Sequence, residues 1–296
     1  MNNHELMTKT ANAPKTILYR VLGGVLKMTY GKLALVYRLC IPFIFVTPVY
    51  ADQNTVQLTQ QPQADIQVKV TTSMANEQQL QLRYTQPIRL NQILEDSRQN
   101  LHRMTKDAAP SPIYWLGASI HLNRIPPGKE RVMSQLQALA QHWQGENKNA
   151  VFLLIERLQS LTFQQRVFSM VDYDQIRITP SLNPLITENM LLILPPRPKD
   201  ILVLGAVSSP QQIFWRERTS AREYLTQLSL LDNPENSEVV VIQPDGIVEH
   251  HPIAYWNHEH RDIAPGATLY LGFQNLPSGF ASLNEDIINL LRHRAL

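Results

Sequence analysis

The stretch 201–273 alternates between strand-like and helix-like patterns of apolar positions. It contains two short apolar runs, one helical stripe, a hairpin whose turn is Gln243-Pro244-Asp245-Gly246, and a last apolar run entered through Pro265-Gly266. Period-two runs bounded by turn residues predict strands, and a period of 3.6 predicts a helix. This order predicts a small mixed sheet with a helix packed on one face, which is the β-grasp arrangement.

An earlier part of the chain begins in the same way but is interrupted. Strand patterns at 66–70, 79–84 and 113–120 surround a helical stripe that starts near residue 91. Two further helical stripes around a short Gly-containing turn follow, at about 126–161, and predict an antiparallel helical hairpin. Strand patterns return at 166–168, 175–178 and 190–194, before Pro195-Pro196-Arg197-Pro198. We therefore predict an α+β protein with a first β-grasp domain at 52–198, carrying the inserted hairpin, and a second at 199–275.

The last segment, 276–296, has an apolar stripe with acidic residues early and basic residues late. Such charges favour a helix because they complement the helix dipole. We predict a C-terminal amphipathic helix, whose stripe either docks a partner or membrane surface or packs on the chain's own domains. The stripe consists of Phe280, Leu283, Ile287, Leu290 and Leu291.

The N-terminus has the pattern of an export signal. Basic residues up to Arg38 precede the apolar run 39–46, and Val49-Tyr50-Ala51 suits signal-peptidase cleavage after Ala51. The run is too short to span a bilayer, which takes about 20 apolar residues. Cys40 raises the possibility of a lipoprotein, but Leu39 stands where lipobox processing needs a small residue. We predict a signal peptide at 1–51 and a periplasmic mature chain without cysteine or membrane span.

Composition narrows the possible partners. The 296 residues suggest about two domains. Formal net charge is +2, but the first 51 residues hold six Lys/Arg against one acid, so the remainder has 21 basic and 24 acidic residues. A slightly acidic body has no general attraction for nucleic acid, and no nucleic-acid partner is expected.

Many scattered positions resemble the capsule-biosynthesis GfcC family. They include Leu204–Trp215 (LGAVSSPQQIFW), Tyr255-Trp256-Asn257, the run 264–273 and the closing Leu276-Pro277 with 281–287. Upstream, Trp115-Leu-Gly117-Ala118, Gln165-Arg166 and 171–177 also fit. The resemblance covers essentially the whole mature chain and is most specific after residue 200.

The resemblance implies a fold and a role. Members are similar to the SLBB-like β-grasp domains of outer-membrane polysaccharide export proteins and accompany capsule or exopolysaccharide export. It implies a soluble periplasmic protein with two β-grasp domains, an inserted helical hairpin and a terminal amphipathic helix. We expect the chain to be a monomer. The family's arginine after the hairpin, in a pocket of the first domain, corresponds to Arg166, although Gln165 stands in place of the usual Gly and Phe168 in place of a Pro.

Candidate chemistry centres on Arg166. Its planar guanidinium could hold a carboxylate or phosphate of an acidic or lipid-linked sugar, or it could be a structural arginine paired with Asp172 or Asp174. Asp172 and Asp174, on one side of the predicted strand 175–178, could act as paired carboxylates in glycoside chemistry, or merely end a strand or turn.

Other groups have a binding and a structural interpretation. His250, His251, His258 and His260 are dense but match no compact metal motif, so neither a metal nor any other cofactor is expected. The aromatic residues could form a sugar-stacking surface or pack in the cores. They are Tyr114, Trp115, Trp215, Tyr255 and Trp256.

No standard enzyme signature occurs in the chain. We therefore expect an accessory protein that binds capsular polysaccharide or the export machinery. The alternative is an enzyme that modifies the exported polymer through a pocket around Arg166.

Overall fold

The computed structural model describes residues 65–74, 78–101, 112–231, 237–254, 256 and 259–296. The predicted signal peptide and its cleavage site after Ala51 lie outside these residues, as do Tyr255 and His258. Within the described ranges the chain is a mixed α+β protein with several sheets and six α-helices.

The first sheet has five strands, and its centre is made of strands distant in sequence. Its order is β2-β1-β7-β4-β5, and only β1 and β7 are parallel. The strands are β1 (Ile66–Thr71), β2 (Leu80–Tyr84), β4 (Ser119–Leu122), β5 (Gln165–Val167) and β7 (Met190–Ile193). Helix α1 (Leu90–Asn100) buries Leu90, Ile93 and Leu94 in the core of this sheet.

Two short strands and a short helix complete this half of the chain. Strands β3 (Ile88–Arg89) and β6 (Leu185–Ile186) pair antiparallel. Residues 173–178 form helix α4 (Tyr173–Ile178), so the predicted strand at 175–178 is wrong. The physical reason is local: the Asp172 side chain accepts the Gln175 N–H at 3.0 Å and caps the first turn of the helix.

The second sheet repeats the strand order of the first. Its order is β11-β10-β12-β8-β9, and only β8 and β12 are parallel. The strands are β8 (Asp200–Gly205), β9 (Gln211–Phe214), β10 (Glu238–Ile242), β11 (Val248–Pro252) and β12 (Thr268–Leu271), with helix α5 (Ala221–Leu225) between β9 and β10. Counted along the chain, each sheet therefore places its strands in the order second, first, fifth, third, fourth.

The helical hairpin packs on the second sheet, although along the chain it lies between strands β4 and β5 of the first sheet. Helices α2 (Lys129–His142) and α3 (Gly145–Ser160) coincide with the predicted range 126–161. Their buried residues, among them Leu136 and Leu154, share one core with β8, β10 and β12. The insertion therefore connects the first half of the chain to the core of the second.

The end of the chain contributes to the same core. Helix α6 (Leu283–Leu291) follows a 3-10 turn at Ser278–Phe280. The Asn284 amide holds it on β12, because it accepts hydrogen bonds from the Tyr270 hydroxyl and the Phe273 N–H and donates one to the Phe273 carbonyl. Among the described residues, every helix is too short or too polar to span a lipid bilayer.

Candidate functional site

A groove lies where the two sheets meet. Its first cleft, of about 670 Å³, is walled on one side by Trp115, Leu116 and the segment 168–172, and on the other by the hairpin turn Asp245-Gly246-Ile247. Four large apolar side chains of this cleft are exposed to solvent: Leu116, Phe168, Met170 and Ile247. A cluster of exposed apolar residues around one concavity is typical of a binding surface.

Two more clefts adjoin the first. A second cleft of about 630 Å³ shares Leu116, Asp245 and Ile247 with the first. A third of about 340 Å³ shares Phe168 and Arg292 with it. The first cleft therefore adjoins each of the other two.

The hairpin turn between β10 and β11 forms the divide between the first and second clefts. Gly246 has φ of +88°, and the Asp245 carboxylate accepts the Ile247 N–H at 2.9 Å. A Cβ at Gly246 would lie 3.0 Å from the Phe168 ring and 3.7 Å from an Arg166 guanidinium nitrogen. Glycine is required here because the turn needs a left-handed residue and rests directly on those two side chains.

Arg166 lies beneath this turn, on β5, with only 7% of its surface exposed. Burial lowers the pKa of Arg166 to about 10; the Asp245 carboxylate opposes this change and Arg292 adds to it. The guanidinium still carries its charge at neutral pH. It makes no ion pair or side-chain hydrogen bond within the described ranges, so it is not paired with Asp172 or Asp174 there.

The surroundings of Arg166 are cationic and narrow. It lines a cavity of about 10 Å³ with Arg292 and Arg294, which leaves room for about one water. It does not line the three larger clefts. The ligand role predicted for Arg166 stays a prediction, and a ligand in the groove would meet Arg292 first.

Arg292 was not singled out from the sequence as a binding residue. Its guanidinium lies 4.3 Å from the centre of the Phe168 ring, and its Nε donates to the Gly246 carbonyl at 2.9 Å. It lines both the first and third clefts. A basic residue at the C-terminal end of a helix is ordinarily explained by its favourable interaction with the helix dipole. The sequence therefore held no signal that marked Arg292 as a binding residue.

Three of the five predicted aromatic residues line the groove. Trp115 lies in the first cleft, whereas Tyr114 and Trp215 lie in the second. The Arg197 guanidinium contacts both rings of the second cleft, at 5.6 Å from the centre of Tyr114 and 5.1 Å from that of Trp215. The Trp215 indole N–H donates to the Ile263 carbonyl at 2.7 Å, which fixes the ring. Trp256 is 80% exposed and lines none of the clefts described above.

The two predicted carboxylates occupy different positions. Asp172 lines the first cleft but caps helix α4, as described above. Asp174 lies in the first turn of that helix, largely exposed, and its carboxylate is 3.9 Å from Arg177. Neither is shown in contact with Arg166.

The histidines of the second sheet are paired with acids. His250 contacts Glu238 at 3.1 Å, His251 contacts Glu249 at 2.8 Å, and His260 contacts Asp262 at 3.2 Å. Among the described residues no three His, Cys, Asp or Glu side chains are grouped so that they could hold a metal ion.

The five apolar residues predicted for partner docking are not on the surface. All of them are buried in the core that contains the second sheet and the helical hairpin: Phe280, Leu283, Ile287, Leu290 and Leu291. Of the two interpretations of this stripe, packing on the chain's own domains is therefore the one that the structure supports.

A histidine next to Arg166 is fully buried, and its pKa is lowered. His121 is fully buried opposite Arg166 in the β4–β5 pair, where its Nδ1–H donates to the Gln164 carbonyl and its Nε2 accepts from the Ser119 hydroxyl. Burial lowers the pKa of His121 to about 4; the Gln164 hydrogen bond opposes this change, and the neighbouring Arg166 and His293 add to it.

We expect stability to fall by about 3 kcal/mol as the pH is lowered from about 6.5 to about 4. Over that range the unfolded chain takes up a proton at His121 and the folded chain does not. Urea unfolding at a series of pH values measures this, and His121→Gln, whose amide can replace both hydrogen bonds, serves as the control. An equally steep loss in His121→Gln would contradict the assignment to His121.

Two family models cover most of the chain. The model described as "Capsule biosynthesis GfcC, N-terminal" matches residues 64–197, and "Capsule biosynthesis GfcC C-terminal" matches residues 209–295. The "Uncharacterized protein YjbG" of Escherichia coli (strain K12) is 29% identical over 150 residues, which is 49% of this chain and 60% of that protein. The family domains suggest a role in capsule biosynthesis, and with both models matched in order the chain belongs to the capsule biosynthesis GfcC family.

Proposed function

We propose that this chain is a periplasmic accessory protein of capsule or exopolysaccharide biosynthesis and export, and that it acts by binding polysaccharide along the groove. Membership of the GfcC family supports the link to capsule biosynthesis. The export-signal pattern ending at Ala51 supports a periplasmic location. We propose that the chain works as a monomer and delivers or receives its polymer at the export machinery.

The observation that carries the proposal is the aromatic groove. The adjoining clefts are lined by Trp115, Tyr114 and Trp215, together with carboxylate and guanidinium groups. Aromatic rings bind the apolar faces of pyranose rings, and charged groups bind their hydroxyls. A series of joined clefts suits a chain of sugars better than a single small molecule.

Binding is favoured over turnover by the positions of the acids. Glycoside hydrolysis needs two carboxyl groups that flank the scissile bond, one of them in an environment that raises its pKa. Asp172 serves as a helix cap and Asp174 is exposed beside Arg177, which are structural positions. The alternative of an enzyme acting through Arg166 gains no support from this arrangement.

The strand order supports assigning both sheets to the β-grasp, SLBB-like fold. In each sheet the first and last strands along the chain are parallel neighbours. The second strand pairs antiparallel with the first on one side, and the antiparallel third and fourth strands lie on the other side. We propose domains at 52–198 and 199–275, with the 276–296 segment as an amphipathic element that packs on the second domain. In this arrangement the groove is the junction between two domains of the same type.

The test is a titration with oligosaccharides prepared from the capsular polysaccharide of the bacterium that makes this protein. We expect Trp115→Ala to weaken binding by about tenfold, because stacking on a large aromatic ring contributes about 1 kcal/mol or more. Calorimetric titration measures the affinity, and thermal unfolding checks that each variant is folded.

Trp256→Ala is the matched control, since it makes the same substitution at an exposed position outside the groove. It should bind like the unmodified chain. No binding of the oligosaccharides to the unmodified chain, or equal effects of the two substitutions, would overturn the proposal.

A further inference from the structure

The second cleft differs from the first in its charge. Four carboxylates line it, from Glu217, Asp245, Glu249 and Asp262, against two guanidinium groups, from Arg197 and Arg218. The first cleft has two carboxylates and one guanidinium among mainly apolar walls. The groove is therefore more acidic toward the end where Trp215 lies.

Hydrogen bonds of the Gln243 side chain connect parts of the wall of the second cleft. The Gln243 amide donates to the Glu249 carboxylate at 3.0 Å and to the Asp262 carbonyl at 3.1 Å, and it accepts the Ala264 N–H at 3.2 Å. This amide joins three parts of the wall. Because the Glu249 carboxylate and the Trp215 ring are held by hydrogen bonds, this part of the cleft needs little ordering when a ligand binds.

Two arginines, Arg197 and Arg218, line this cleft. Arg197 contacts the Tyr114 and Trp215 rings, and Arg218 adopts φ of +55°, a conformation that residues other than glycine rarely take. Neither guanidinium forms an ion pair in the described part of the chain, although acids line the same cleft. Their N–H groups are therefore available as donors to hydroxyl and ring oxygens.

We infer that the second cleft is a subsite for one pyranose residue that has no acidic substituent. The inference rests on the proposed function, because it takes the ligand to be a glycan. The apolar face of the sugar lies on the Trp215 side of the cleft, and its hydroxyls donate to the carboxylates and accept from Arg197 and Arg218. A uronic acid, or a sugar carrying phosphate or a pyruvyl group, is repelled because the cleft has a net charge of −2 at neutral pH.

The experiment compares two tetramers of similar length by calorimetric titration at low salt: N-acetylchitotetraose, which is neutral, and tetragalacturonate, which is acidic. We expect the neutral tetramer to bind about tenfold more tightly, and the difference to shrink at about 0.5 M salt, where charges are screened beyond about 4 Å. Glu217→Gln removes one negative charge from the cleft wall and should reduce the difference severalfold, by strengthening the binding of tetragalacturonate.

Glu146→Gln is the control for that substitution, since it removes one exposed carboxylate at the start of α3, outside the groove. It should leave the difference unchanged. Equal or tighter binding of tetragalacturonate would overturn the inference, and so would failure of both tetramers to bind. Either result leaves the proposed function standing if the native oligosaccharides still bind and Trp115→Ala still weakens them.

Discussion

Replacing Gly205 with alanine should destabilise the protein by about 3–5 kcal/mol, the largest effect expected of an added methyl group at any glycine that the structure describes. Gly205 ends β8 with φ of +100°, and a Cβ there would lie 1.9 Å from the Leu271 carbonyl oxygen on the neighbouring strand β12. The clash is with backbone, so no side chain can turn away to relieve it. Urea unfolding followed by tryptophan fluorescence measures the change in midpoint.

Gly279→Ala is the matched control for this prediction. Gly279 has no heavy atom within 4 Å of an added Cβ and no positive φ. Its substitution should change stability by no more than about 0.5 kcal/mol. A Gly205→Ala protein with an unfolding midpoint close to that of Gly279→Ala would show that β8 and β12 are not paired in this register.

Replacing Ile287 with alanine should lower the free energy of unfolding by about 2–5 kcal/mol. The Ile287 side chain is completely buried where α6 packs on the core that contains the second sheet and the helical hairpin. The loss comes from the apolar area returned to water and from the cavity left behind. If the α6 stripe were instead a docking surface, the same substitution would leave the free energy of unfolding almost unchanged. Chemical unfolding of the purified chain separates the two cases.

Ile178→Ala makes the same chemical change at a residue that is 69% exposed. It should shift the unfolding midpoint by little. A small effect at Ile287, comparable to that at Ile178, would mean that helix α6 separates from the second sheet in solution. The apolar stripe of α6 would then again be a candidate docking surface.

Much of the architecture could be predicted from local patterns. The helical hairpin, the turn at Gln243–Gly246 and the apolar stripe of α6 follow from period and from turn residues, which act over a few positions. The segment 175–178 shows where this fails. Its alternation predicted a strand, but the Asp172 carboxylate caps a helix there, and a single capping contact can decide between two structures in so short a segment.

The candidate site was less predictable than the fold. Trp115, Trp215 and Tyr114 could be proposed as sugar-binding aromatics, because residue type alone indicates that chemistry. Arg292 and Asp245 could not, because they reach the groove from a helix end and a hairpin turn far apart in sequence. Arg166, the arginine emphasised by the family resemblance, lies beneath that turn rather than on the groove wall.

Taken alone, the sequence determined which segments are strands and helices in most of the chain, which faces of them are apolar, and to which family it belongs. Only the tertiary structure decided which apolar face meets which. The hairpin at 129–160 interrupts the first sheet along the chain and is buried against the second, and the α6 stripe lies in that same core. The physical reason is that the hydrophobic effect is non-directional and does not depend on distance along the sequence. An apolar stripe in a sequence therefore shows that it will be buried, but not which element will cover it.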